Sequence, residues 1–465
     1  MSYAPLSPLL LAALILTVFE IAGGRPRIAT LRLPRLSAAA AAAGACALIA
    51  GFLVQLLLLA DQALHDGARP QWVTHTPYLL VYPVPPPSPQ HWFFSLGALG
   101  AAVVQTLGLG TVVAALLQRR DDEGDGAARL ARALTPLLAI VLAGLALWSP
   151  AVSSSDSFVY VGLGMLGPHP FERPQHFFSG EYAAVFRDWP LPPTVYGPLW
   201  CALNAGVVAL GSTFAAKVLA LRVFGTVLLV ALAALVARLE HSRALTAAVL
   251  LNPMLWFQYV SNAHNDLLGL ALLVAALALV AAGRPWLATL FVAAAGLVKF
   301  PFMFVGAVAF ARLGPRRALL YAGTGIVLAL ALSALFGGRP YLDALLVTGK
   351  LSGTAVSPLM RDVKLAFAAA TVGLTLYVLL RSRFPAFGGF VFPAVAPVCF
   401  PWYLPWAIPY VLAARELVLP SLLALPVLGA LADGIYGYHG FTLLVPLAAL
   451  AWVVGLTLRR RPADG

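Results

Sequence analysis

Apolar residues fall in runs of about 15–25 along most of this chain, broken by short polar stretches. The runs cover roughly 4–22, 37–60, 93–117, 133–150, 198–237, 244–262, 265–282, 285–299, 301–313, 317–336, 363–381, 386–399, 406–414, 417–433 and 440–458. Each predicts an α-helix, and none shows the period-two alternation of a half-buried strand. Several are too short to cross a bilayer upright at 1.5 Å per residue, so they need other helices around them or a thinned membrane. The pattern therefore predicts an all-α, polytopic integral membrane bundle of about 13–15 transmembrane helices, with a long loop at 151–197 after the fourth.

Composition agrees: 61% of residues are hydrophobic and 10% charged, against about 25% charged in soluble domains, and the mean hydropathy is +0.88. The net charge of +12 comes from arginines clustered in short loops, at 25–35, 119–132, 312–317, 381–383 and 459–461. That is the distribution of cytoplasmic loops, with attraction to membrane lipids as a secondary effect, and no nucleic-acid motif accompanies it. It places the N-terminus outside, the C-terminus inside and the loops 61–92, 151–197 and 337–362 on the outer face. The forty residues of 198–237 could hold two spans, which would invert every later loop; the arginines favour a re-entrant or interfacial helix at 198–212 and one span at 214–237. Residues 1–22 lack a basic leader and a cleavage site and read as a retained helix. Cys46, Cys201 and Cys399 sit apart in apolar stretches as packing residues, so no metal site is expected.

The chemistry-bearing residues that this topology gathers on the outer face are few. Asp156 ends a long uncharged run; it either caps the helix 157–165, as Ser154 or Ser155 could also do, or serves as a catalytic carboxylate. "SNAHNDLLG" (261–269) sets His264, Asn265 and Asp266 between two apolar segments, as a solvated turn or as a site. Lys299 in "AGLVKFPF" precedes a helix-breaking Pro301, and is a snorkelling side chain or a cation for a lipid phosphate. "VCFPWYLPW" (398–406), with Trp402 and Tyr403, is an interfacial aromatic belt or a platform for a sugar or an isoprenoid; Tyr436, Tyr438 and His439 can add to it.

"SDSFVYVGLGMLGPHPF", "PPTVYGPLW", "LNPMLWFQYVSNAHNDLLGLALLVAALAL", "GLVKFPF" and "PWYLPWAIP" together resemble the polyprenol-phosphate-mannose-dependent mannosyltransferases of the GT-C fold, in particular the bacterial α-1,6-type group. The resemblance spans about 134–412 and holds in order and spacing. Phe171, Gly197 and Phe300 depart from the family pattern. It implies added N-terminal helices (1–132), a GT-C-like catalytic core (133–412) with the outer loop 151–197, and C-terminal helices with a basic tail (413–465). It also implies one inverting displacement in the cell membrane, on the extracytoplasmic face, from a polyprenyl-phosphate sugar, mannose, to a glycan, a lipid-linked glycan or a protein. Asp156 would be the general base. Lys299, helped by His264 or Arg173, would neutralise the leaving phosphate, and Asp266 would orient His264 or the acceptor. Tyr160, Tyr196, Asn265, Trp402 and Tyr403 would complete the substrate site, with no cofactor and no metal. A transporter or flippase would instead need polar groups near mid-membrane, and a scaffold subunit would need none of these residues.

Overall fold

A computed structural model describes residues 7–23, 35–65, 90–118, 126–149, 156–167, 171, 194–354, 358–395, 401–415 and 417–434. Helix is the regular structure throughout these residues. In order they form α1 (Ser7–Ile21), α2 (Ala38–His65), α3 (Gln90–Leu117), α4 (Gly126–Trp148), α5 (Asp156–Met165), α6 (Pro198–Ala209), α7 (Phe214–Glu240), α8 (Arg243–Leu250), α9 (Asp266–Ala281), α10 (Pro285–Val298), α11 (Phe302–Ala307), α12 (Pro315–Thr354), α13 (Pro358–Arg381), α14 (Ala407–Ala414) and α15 (Val418–Gly434). Among the described residues five helices are long and apolar enough to span a membrane: α2, α3, α4, α7 and α12. The fold is the expected all-α polytopic bundle, but much of it consists of shorter pieces, and 440–458 lies outside the described residues.

Local chemistry sets the breaks. Thr213 caps α7 through a bond from Ala216 N–H, and α7 ends on His241 in the left-handed region; Ser242 then caps α8, so two helices meet with almost no loop. The segment 244–262, which the hydropathy pattern reads as one run, is broken. Asn252 accepts from Met254 N–H and Pro253 takes the first position of a new turn, which widens into a π-helical turn over Trp256–Ser261. The expected outer loop 337–362 also differs. Gly338 (φ +59°) breaks the helix, a conformation glycine adopts freely, and helical backbone resumes as far as Thr354.

Side chains such as Leu107, Ile140, Val327 and Leu335 are exposed on the long helices, a surface suited to hydrocarbon. Lipid offers little hydrophobic drive for helices to associate, so close backbone contact must supply it. On α3, Gly108 fits against α2 so tightly that a Cβ would lie 2.6 Å from the Gly44 carbonyl oxygen. α9, by contrast, is buried on almost every side, from Asp266 to Leu277. Its 16 residues reach only about 24 Å. A smaller cluster, with Phe158, Tyr160, Trp200, Phe214 and Leu268, packs α5 and α6 onto α7 and α9.

Candidate active site

The site forms where α5, the segment before α6, the turn before α9 and the end of α10 converge. Asp156 is the first residue of α5, and Tyr160 stands one turn later on the same face. The Tyr160 backbone carbonyl accepts from Asn204 of α6 at 2.7 Å, which fixes the helix. Asp156 Oδ2 lies 3.1 Å from His264 Nδ1, 3.3 Å from the Tyr160 hydroxyl and 3.4 Å from the Tyr196 hydroxyl. These three partners are side chains of the site.

His264 reaches Asp156 because the π-helical turn and Ala263 (φ +54°) swing the chain into place. Its ring stacks on Trp402 at 4.2 Å and 16°. Trp402 is held in turn by its carbonyl, which accepts from Tyr259 of the π-helical turn at 2.9 Å. Asn265 Oδ1 lies 3.2 Å from the Tyr160 hydroxyl, joining this half of the site to the next.

Asp266 opens α9, where the helix dipole favours an anion. Its Oδ1 accepts from Lys299 Nζ at 2.9 Å and from the Trp406 indole at 3.0 Å. Lys299 ends α10, its ammonium 4.3 Å from the Tyr403 ring centre and within 6 Å of the Trp406 and Tyr196 rings, inside cation–π range. The lysine is therefore buried and paired, not snorkelling. Tyr196 is anchored beside it because Gly197 N–H donates to the Val298 carbonyl at 3.0 Å, and a Cβ at 197 would fall 2.1 Å from the Leu297 carbonyl oxygen. The chain thus requires both the amide hydrogen and the missing side chain of glycine here.

All nine residues singled out in the sequence—Asp156, Tyr160, Tyr196, His264, Asn265, Asp266, Lys299, Trp402 and Tyr403—meet in this cluster. Arg173, Tyr436, Tyr438 and His439 lie outside the described residues. Sequence reasoning missed Trp406, although it stands in the quoted aromatic stretch, and it missed Arg222. The two carboxylates differ in environment: the Asp156 side chain is 22% exposed and that of Asp266 is sealed at 0%. Burial alone would raise the Asp156 carboxyl. The hydrogen bond and charge of His264, the charge of Lys299 and the Tyr160 hydroxyl outweigh that effect and hold it below the usual carboxylate range. A carboxylate only accepts, so His264 Nδ1 carries the proton of their bond. His264 Nε2, Asn265 Nδ2 and Asp266 Oδ2 are buried without a hydrogen-bond partner.

A partly exposed carboxylate backed by an imidazole, set in an aromatic-walled cluster of a helical membrane bundle, is an arrangement suited to acid–base chemistry in a membrane protein. The chain belongs to the MptA_B family, whose model, alpha-(1->6)-mannopyranosyltransferase, N-terminal domain, matches residues 57–313. Its activity is mannosyl transfer. The match takes in α3 and α4 as well as every site segment up to Lys299. No curated protein and no solved structure matches the chain significantly.

Proposed function

We propose that the chain moves mannose from a polyprenyl-phosphate donor to a glycan or lipid-linked acceptor, on the extracytoplasmic face of the cell membrane, by one inverting displacement. The acceptor oxygen bonds to the anomeric carbon as the bond from that carbon to the phosphate oxygen breaks, and the electron pair leaves on the phosphate. Asp156 takes the proton from the acceptor hydroxyl. The observation that carries this assignment is the contrast in exposure: of the two site carboxylates, Asp156 is open to an incoming hydroxyl, whereas Asp266 is sealed and paired with Lys299. Lys299, fixed by Asp266, offsets part of the charge on the leaving phosphate. His264 Nε2 and Asn265 Nδ2, beside Asp156, are read as donors or acceptors for the sugar, since a buried polar group without a bond costs about 1–3 kcal/mol and a sugar hydroxyl would remove that cost.

The direct test is product analysis with purified protein, polyprenyl-phosphate-mannose and membrane extract. Transfer from the lipid-linked donor is expected; transfer from a nucleotide-linked mannose instead would overturn the donor assignment. The role of Asp156 is tested by Asp156→Asn. An amide cannot accept the proton at neutral pH, so turnover should drop by at least about a hundredfold while thermal stability changes little. Turnover retained in a folded Asp156→Asn protein would remove Asp156 as the base.

A further inference from the structure

Arg222 is the ninth residue of α7 and is 1% exposed. A buried charge in an apolar helix is costly and is ordinarily balanced by a carboxylate. Here its hydrogen-bond partners are backbone carbonyls. Nε donates to Ser261 O at 2.9 Å, and Nη1 donates to Leu147 O at 2.9 Å and to Ser149 O. Leu147 and Ser149 stand at the C-terminal end of α4, which carries the negative end of that helix's dipole. Ser261 closes the π-helical turn, and its hydroxyl reaches back to Ala146 O at 3.2 Å. One turn further along α7, Gly225 lets the helix approach this turn: a Cβ there would sit 2.5 Å from Tyr259 O.

The two chain segments so joined are those that lead into the site. Ser149 is seven residues before Asp156, and Ser261 is three before His264. The planar guanidinium, with donors in a fixed fork, holds the two at a set spacing that a single ammonium cannot reproduce. We propose that Arg222 is a positioning residue for transfer: by clamping the end of α4 to the π-helical turn it sets the 3.1 Å contact between His264 Nδ1 and Asp156 Oδ2. The proposal rests on Asp156 acting as the base. Arg222 touches no substrate in this scheme and acts through the geometry of that pair.

A double-mutant cycle in turnover separates this role from a general loss of stability. Arg222→Gln, measured per folded molecule, should lower kcat about 10–100-fold with KM nearly unchanged, since a displacement of about 1 Å remote from the chemistry can cost that much. His264→Gln should lower kcat comparably. If the arginine works by placing His264, the double variant should be little worse than either single one. Arg222→Lys should recover part of the rate. Additive losses, or an unchanged kcat in folded Arg222→Gln, would overturn the proposal. Asp156→Asn is assayed in parallel. If it loses turnover while the cycle is additive, only the role of Arg222 fails; if it keeps turnover, the base assignment fails and takes the positioning role with it.

Discussion

Asp156 Oδ2 draws a protonated ring nitrogen and two phenol hydroxyls within 3.4 Å; burial pushes the carboxyl up, and His264, Lys299 and the Tyr160 hydroxyl together bring it below the usual range. Because its folded value is depressed, its ionised form persists down to pH values below the ordinary ~3.9 of an aspartate, and it is lost only as pH falls through that lower value. An acid limb of kcat/KM that belongs to Asp156 is therefore expected below about pH 4. Tyr160→Phe removes one of the groups that lower it, so the limb should move toward higher pH in that variant. A limb near pH 6 that ignores Tyr160→Phe would belong to a different group. The carboxylates, His264 and Lys299 were legible in the sequence because charge is scarce in this chain and each charge needs a reason. Arg222 was not, since its partners are carbonyls, which every residue has and no sequence pattern marks. The signal available was its place inside a span, an expense that ought to have prompted the question.

At the scale of elements, the site depends on departures from regular helix. The run Trp256–Ser261 reads as continuous helix by hydropathy, and its widening into a π-helical turn was invisible there because it follows from packing against α4 and α7. The break at Asn252–Pro253 was open to view in the dipeptide itself. The long helices α2, α3, α4 and α7 lie close to the apolar runs that predicted them, since high hydropathy is sustained along their length. Gly197 joins two elements by one hydrogen bond and one close approach, and Gly197→Ala has no room. It should cost about 1–3 kcal/mol by overpacking and should also depress turnover by moving Tyr196. Gly206→Ala, on α6 with open space around it, is the matched control and should be neutral or stabilising. Equal thermal shifts for the two variants, measured in the same detergent, would refute the steric reading.

For the whole molecule, the arginine pattern assigns a side of the membrane to each loop. In a background without the native cysteines, single cysteines at 175 and 345 should react with an impermeant thiol reagent in intact cells, and one at 124 should not. Labelling at 124 but not at 175 would invert the topology and move the donor to the other leaflet. The all-helical class, the membrane setting and the grouping of the site residues were all legible from where charge is avoided and where it is allowed. The lengths of the inner helices were less so, because a helix walled in by others has no need to match the bilayer.

The pinning at Gly197 has a consequence for how such a protein changes over generations. The contact is between main-chain atoms: the Gly197 N–H meets the Val298 carbonyl, and the space a Cβ would take is filled by the Leu297 carbonyl oxygen. Every residue at 297 or 298 carries the same carbonyl group, whatever its side chain. No exchange of side chain at those two positions therefore makes room for a Cβ at 197. The glycine has no side-chain partner with which to co-vary, so drift elsewhere in sequence gives it no path to a larger residue while this backbone contact is kept.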